Sequence, residues 1–407
     1  VPPLRSPLVR PLDDAYQALL DDLARARRWP TSAEPARVGA LVRRLSDAYN
    51  SPEAAPPRSE DALAARLLFS FPRDVPKGAA AVRELVASGA LALPAGRPLR
   101  VLDLGAGLGA TTRGVARALG LHGGVGSMEV DAVDSDEQAL ALASAIARAR
   151  PMEGGVAVEL RAARGSLAAK LPARGPYDLV VLGQVLSELD PGLEDGRAEQ
   201  HASLLAACAD ELRPDGSVVV VEPALRERTR HLHAVRDAVL ARAGVGLNVF
   251  APCVHDAPCP VLRESEAWCH EDLDVDLPHW LVPVARAAGL RWQGLTFSYL
   301  VLRRDGRRQA GPGGPSAARL RVVSSPIVTK GKRELFLCGS LAGAAGVSRT
   351  KVMRLDRHRA EANAAWDEAA RGDVLELTPG VGAERPRVEG TTRVVRLGSD
   401  EGAPRGG

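Results

Sequence analysis

The segment from residue 100 to residue 110 constrains this chain more than any other. Arg100-Val101-Leu102-Asp103-Leu104 is a short apolar run that meets Gly105-Ala106-Gly107-Leu108-Gly109, and an Ala-rich helical stretch starts at Ala110. Glycines at alternate positions let the backbone turn tightly and approach a ligand with no side chain in the way. Strand, glycine turn and helix in that order predict the first unit of a nucleotide-binding α/β sheet.

The pattern after this turn agrees. Short β-branched runs at 100–104, 128–133, 156–160, 178–182 and 217–221 alternate with Ala- and Leu-rich helical stretches, which predicts a parallel sheet with crossover helices. Two further runs, 292–297 and 299–303, are too close for a crossover and are expected to form an antiparallel pair. That ending suits a Rossmann-like class I methyltransferase sheet better than a dehydrogenase sheet. Helical spacing before it predicts an N-terminal helical cap over 1–97, and the Rossmann-like domain is expected over 98–304 with a Cys-rich insertion at 223–280. Gly-Pro-Gly-Gly-Pro within 305–317 reads as a linker, 318–378 as a small basic β-rich appendage, and 379–407 as a mobile tail.

The glycine loop alone is ambiguous, because Gly105, Gly107 and Ala110 also satisfy a dinucleotide pattern. Asp103, an acid at the strand end, favours S-adenosylmethionine. The expected cofactor residues are Asp103, Gly105, Ala106, Gly107, Gly109, Asp134 and Gln184. Asp134 follows the second strand, where a carboxylate can accept from both ribose hydroxyls. Gln184 follows the fourth and is expected to face the cofactor. No Asn-Pro-Pro-Tyr segment for amino-group methylation is present and no strong base is recognisable there, so catalytic residues are left unassigned; Ser187 and Glu188 suit helix capping and solvent contact as well.

Five cysteines are too few for a disulfide scaffold, yet Cys253, Cys259 and Cys269 cluster in a proline-restricted segment. Cys338 is the best fourth ligand, since Cys208 lies on a helix expected to bury it. Four thiolates suit a 4Fe-4S cluster, whereas three with His255 or His270 suit zinc, and spacing does not separate the two.

The net charge of +3 hides an asymmetry. Residues 303–359 hold 14 Lys or Arg against three acids, a net +11, leaving −8 for the rest. A basic stripe of this kind predicts a polyanionic partner, here nucleic acid. No apolar run is long enough to span a bilayer and no charged-then-apolar leader is evident, so a cytoplasmic protein with no membrane contact is expected.

Together these pieces resemble the bacterial and mitochondrial family of methyltransferase-like protein 17, associated with the small ribosomal subunit. The resemblance lies in Val101 to Gly107, Val185-Leu186-Ser187-Glu188-Leu189, Val221-Glu222-Pro223, the Ala-Pro-Cys-x-His-Asp-x-Pro-Cys-Pro segment at 251–260, Trp268-Cys269-His270 and Phe297-Ser298-Tyr299-Leu300. It departs at Gln184, where relatives often carry His. It implies a 4Fe-4S cluster on Cys253, Cys259, Cys269 and Cys338, with zinc as the alternative. It also implies association with the small subunit and its rRNA in ribosome assembly or translation, in a ribosome-associated, bacterial-type cytoplasmic setting. Two functions remain open: an rRNA methyltransferase using S-adenosylmethionine, and a non-catalytic assembly factor using the same fold as an RNA-binding scaffold.

Overall fold

The computed structural model describes residues 8–50, 58–167, 175–190, 192–193, 195–310 and 316–397. The N-terminal cap begins with α1 (Asp14–Ala26) and α2 (Pro35–Asn50). Asp13 caps α1 by accepting from the Tyr16 amide at 3.1 Å. The next two periodic runs form one continuous rod: α3 (Glu60–Ala65), a π-turn at Arg66–Ser70, and α4 (Phe71–Ala87). The π-turn widens the backbone just ahead of Pro72, where the ring would otherwise meet the preceding turn.

The central sheet is built from β1 (Leu99–Leu104), β2 (Gly126–Asp134), β3 (Met152–Glu153), β4 (Val156–Arg164), β5 (Tyr177–Gly183), β6 (Leu212–Glu222), β7 (Asn248–Ala251), β8 (Glu271–Leu273) and β9 (Leu295–Arg303). Its crossover helices are α5 (Ala110–Leu121), α6 (Glu137–Ala149), α7 (Arg197–Asp210) and α8 (Arg226–Ala241), with α9 (Val282–Ala288) ahead of the last strand. The order is β3-β4-β2-β1-β5-β6-β9-β7, with β8 pairing the start of β9. β4, β2, β1, β5 and β6 run parallel, and β9 lies antiparallel to both β6 and β7. A reversed strand between the last two parallel ones separates this sheet from the dinucleotide order 3-2-1-4-5-6.

One sequence expectation is corrected here. The runs 292–297 and 299–303 are not an antiparallel pair, because Leu295–Arg303 is a single strand. Only Ser298 lies between the two runs, and one residue cannot reverse a chain. The antiparallel partner of β9 is β7, supplied by the Cys-rich insertion.

The sheet is covered on both faces. Val101, Val130, Leu179, Val219 and Val301 pack one way with α4 and α5, while Leu102, Val180, Val220 and Leu302 pack the other way with α7 and α8. Approach of α4 to α5 is close enough that a Cβ on Gly114 would lie 2.3 Å from the Val75 carbonyl oxygen. The cap packs through Tyr16, Leu20, Val42 and Leu45 onto Leu142, Ile146 and Val284.

Beyond β9 the chain forms β10 (Ala318–Val322), β11 (Ile327–Thr329), β12 (Lys332–Ser340), β13 (Val347–Leu355), α10 (Ala365–Glu368), β14 (Val374–Thr378), β15 (Arg387–Val388) and β16 (Arg393–Leu397). β10 pairs antiparallel with β12 and β14, β12 with β13, and β14 with β16, while β13 pairs parallel with β15. β15 and β16 are successive pieces of one last strand, so the sheet closes on itself with a short helix between its third and fourth strands. This is the topology of the five-stranded Greek-key barrel termed the OB-fold. Trp366, Leu320, Leu337, Val352, Leu375 and Val394 fill it.

The barrel corrects a second expectation. Residues 387–388 and 393–397, read as part of a mobile tail, are strands of its wall; residues 398–407 and the Gly-Pro-Gly-Gly-Pro linker centre at 311–315 lie outside the described residues.

Candidate cofactor site and thiol centre

At the carboxyl end of β1, Gly105, Gly107 and Gly109 have φ of +68°, +50° and +78°, a region that side-chain-bearing residues rarely enter. At Gly105 a Cβ would lie 2.5 Å from Val185 Cγ2, whereas one on Gly107 would meet open space. The Gly105 and Ala106 amides both donate to the Val133 carbonyl, which fixes the loop against β2. Asp134 completes the turn: its Oδ2 accepts from the Gly107 amide and its Oδ1 from the Asp136 amide, each at 2.8 Å. Each oxygen keeps a second lone pair for a ligand.

Asp103 is buried, and its Oδ2 accepts from Thr112 Oγ1 at 2.6 Å while Oδ1 has no partner. Burial, followed by the neighbouring Asp134 charge, raises its pKa to about 7. Gln184 has φ of +61°, and its Nε2 donates to Asp74 Oδ2 at 2.5 Å. Asp74 in turn pairs with Lys77 and Arg73, so Gln184 is tied to α4.

Two carboxyls that sequence reasoning did not assign belong to the same rim. Glu188 is half-buried, and desolvation with the Asp134 charge raises its pKa to about 7. Its neighbours are Tyr49, at the end of α2, and Arg66, in the π-turn; Arg66 donates to the Tyr49 hydroxyl at 3.1 Å and to Asp136 at 3.1 Å. Glu222, at the end of β6, accepts from the Leu186 and Ser187 amides at 2.8 and 3.2 Å. Burial and the Glu188 charge raise it to about 7 as well. Titratable carboxyls therefore do sit beside Gln184, where none was legible. The only hint in the sequence was acids at the ends of the fourth and fifth parallel strands.

The rim as a whole is acidic: the Asp134 charge opposes ionisation of Asp103 and Glu188, and the Glu188 charge that of Glu222. Such a pocket disfavours a pyrophosphate and favours a cation.

The second centre forms where the insertion meets the barrel. Burial raises the thiols of Cys259 and Cys269 to about 12 and that of Cys338 well above the usual thiol value. After burial, the next influences on Cys338 are Cys253, Cys269 and Cys259, so the fold brings these four sulfurs into one neighbourhood. Cys208 is instead enclosed on α7 among core residues. Cys338 Sγ also lies 3.6 Å from His255 Nε2. Among the described residues, no group of three Cys, His, Asp or Glu is placed to hold a single metal ion.

Helix α8 shapes this centre through residues that sequence reasoning missed. Buried Arg236 donates to the carbonyls of His255 at 2.6 Å and Ala257 at 3.0 Å, and its charge faces Cys253 and Cys259. Asp237 accepts from the Cys259 amide at 2.8 Å. Arg230 gathers the carbonyls of Val261, Glu264 and Ala267 at 2.7 to 3.0 Å. Nothing in a single sequence marks these arginines, because their partners are backbone carbonyls.

The basic stripe is smaller than its composition suggests. Arg303, Arg321 and Arg354 are buried, and Arg308, Arg319 and Arg349 pair with Asp256, Glu376 and Glu264. Arg303 lies opposite Ser217, whereas Val221, four residues further along β6, lies opposite Gly183. The basic segment after β9 thus leaves the sheet at the end away from the glycine loop.

The model of the family described as mitochondrial small ribosomal subunit Rsm22 matches residues 71–371, from α4 to the end of the α10 region, and includes both centres. The chain belongs to the Rsm22 family. That description is mitochondrial, which leaves the bacterial-type cytoplasmic expectation without support. No helix among the described residues is long and apolar enough to cross a membrane. No curated protein matches the sequence.

Among solved structures, the chain is similar to magnesium protoporphyrin IX methyltransferase from Synechocystis PCC 6803 with bound SAM, at 13% identity and a TM-score of 0.33, covering 66% of this chain and 97% of that one. Mitomycin 7-O-methyltransferase gives 14% identity, a TM-score of 0.34, and coverage of 68% and 73%. At such scores the strand order, not the likeness, defines the fold of this Rsm22 member.

Proposed function

We propose that this Rsm22-family chain binds S-adenosylmethionine at the Gly105–Gly109 loop and acts on the small ribosomal subunit through its RNA. The observation that carries the cofactor reading is the acidic rim around an open glycine turn. S-adenosylmethionine brings a sulfonium and an ammonium to this rim, whereas a dinucleotide brings two phosphate charges. Asp134 receives the ribose hydroxyls, Asp103 faces the methionine end, and Gln184 and Glu188 bound the side where a substrate enters. Glu188, titrating near neutrality, supplies a candidate proton acceptor for rRNA methyl transfer.

A specific observation favours the second reading, a non-catalytic assembly factor. The basic segment after β9 lies at the far end of the sheet from the cofactor loop, so RNA held there does not by itself present a base to the methyl group. In this reading the bound cofactor stabilises a scaffold for small-subunit assembly.

Cys253, Cys259, Cys269 and Cys338 suit a 4Fe-4S cluster in donor type and number. Zinc gathers its ligands around one point with bonds of about 2.3 Å, which is tighter than a cluster requires because each thiolate binds a different iron. When bound, such a cluster supplies cross-linking of two folding units and an electron-accepting centre; Arg236 offsets its negative charge.

The test is anaerobic purification with metal analysis, followed by titration with S-adenosylmethionine and incubation with small-subunit particles and labelled cofactor. Cofactor binding lost in Asp134→Ala supports the pocket. Label transferred to rRNA selects the enzyme, and binding without transfer selects the scaffold.

A further inference from the structure

The outer face of β12 and β13 runs from the thiol centre at Cys338 to Lys351. On β12, Leu335 and Leu337 point into the barrel, so the alternate residues Phe336 and Cys338 share its outer side. Across the ladder, Phe336 lies opposite Lys351 and Cys338 opposite Arg349. The Arg349 guanidinium sits 4.1 Å from the Phe336 ring centroid, and Lys351 is 49% exposed. At one end this face carries the fourth thiol, and from there it continues onto the insertion. Arg371 bonds both the His270 and Val323 carbonyls, at 3.0 and 2.9 Å, and the Val323 amide donates to the Phe336 carbonyl at 2.9 Å. His270 is stacked on Trp268 with centroids 5.6 Å apart and planes 19° apart. Trp268 is 38% exposed in a chain with few aromatic residues on its surface.

We propose that single-stranded RNA docks on this composite face, with Trp268 and Phe336 as stacking platforms and Lys351 as the phosphate contact, while Arg349, paired with Glu264 at 3.1 Å, holds the Phe336 ring in place. The inference rests on the reading that the partner is RNA, and names the site. The exposed Trp268 ring, the half-buried Phe336 ring and the Lys351 ammonium match the two needs of an unpaired strand, a π-face for a base and a cation for a phosphate. A duplex keeps its bases stacked internally and can use only the charges. The second and third strands of an OB barrel are the strands whose face is geometrically free to take an oligonucleotide. In this chain the insertion extends that face by one platform, so strand binding and the thiol centre share a wall through Cys338 and Cys269.

The experiment measures fluorescence anisotropy of a labelled oligouridine of about 12 nucleotides, within the span of one such barrel, and of a duplex RNA of equal length. It uses the full metal-loaded chain and the variants Phe336→Ala, Trp268→Ala, Lys351→Ala and Arg25→Ala. The unpaired strand binds more tightly than the duplex, Phe336→Ala and Trp268→Ala each weaken it by about tenfold, and Lys351→Ala lowers the salt slope by about one. Arg25→Ala, on α1 of the cap and outside the basic segment, leaves binding unchanged. Tryptophan emission is quenched by the strand in the wild-type chain and not in Trp268→Ala, where the other four tryptophans remain. Equal binding by wild type, Phe336→Ala and Trp268→Ala overturns the placement while the RNA partner stands; no binding of either RNA by the wild-type chain overturns the RNA reading itself.

Discussion

Arg321 of the barrel donates to Glu84 of helix α4 at 2.6 Å, and both side chains are buried. Around this contact the Tyr299 hydroxyl donates to Glu84 at 2.7 Å and accepts from Arg321 at 2.9 Å, and Arg321 reaches Glu271 at 3.2 Å. Arg83 also bonds Glu271. Two arginines and two glutamates thus balance in a dry junction that joins the cap, the insertion, the last sheet strand and the barrel.

Arg321→Ala leaves Glu84 and Glu271 short of one cation in that junction. The expected loss is about 3 kcal/mol, since breaking a buried pair strands its partner charge. Because the junction lies between folding units, the loss takes the form of barrel undocking. Limited proteolysis should cut between residues 304 and 318 in the variant well before it does so in the wild-type chain, with chemical denaturation giving the magnitude.

The acidic rim makes cofactor choice depend on pH. Asp103 and Glu188 hold their protons to about pH 7 in the folded chain and release them near pH 4 when unfolded. The folded chain is the better proton binder in this window, so their contribution to stability is full below about pH 4 and declines until about pH 7. A cationic ligand reverses the cost of ionising them. S-adenosylmethionine should therefore gain on S-adenosylhomocysteine, which lacks the sulfonium, by roughly tenfold between about pH 6 and pH 8. Asp103→Asn should flatten that gain and make the ligand-free chain comparatively more stable as pH rises through the same window. Calorimetry in buffers of different ionisation enthalpy checks both through the protons released on binding.

The glycine loop predicts an unequal pair of variants. Gly107→Ala meets open space and carries only the conformational cost of positive φ, about 1 kcal/mol. Gly105→Ala adds a collision with Val185, and about 3 kcal/mol is expected from strain and overpacking together. Thermal melts of the two should rank in that order, and equal melting temperatures would remove the close approach from the account.

Arg236→Met keeps the volume on α8 but removes the donors to the His255 and Ala257 carbonyls and the charge facing Cys253 and Cys259. Iron per chain should fall by more than half on anaerobic purification, with global stability in excess chelator changing less than in Arg321→Ala. Full iron retention would show that the loop holds its thiols without this arginine.

Much of this was legible because it follows from local physics. The turn after Leu104 needs glycine, and the acids after β2 and the crossover helices follow from period and capping. What escaped notice was set by long-range contact. β13 reads as polar because Arg349 and Lys351 face outward, while only alternate residues such as Val352 enter the core. Residues 393–397 resembled a tail, since a strand rich in arginine gains its order from pairing with β14 rather than from its own side chains. The +11 stripe overstated the free charge, because sequence counts Arg303, Arg321 and Arg354 as surface although each is consumed inside. Glu188 resembled a capping residue until Tyr49 and Arg66, from a different part of the chain, closed over it.

The division of the four thiols between two folding units sets a schedule. Cys253, Cys259 and Cys269 emerge in one short stretch during synthesis, but Cys338 follows only after β9 and β10 have been made. The quartet cannot be completed until the barrel has folded and settled on its neighbour. A metal centre on these four thiols, as proposed, would thus be a certificate issued late, available only to chains whose barrel has already been assembled against the insertion.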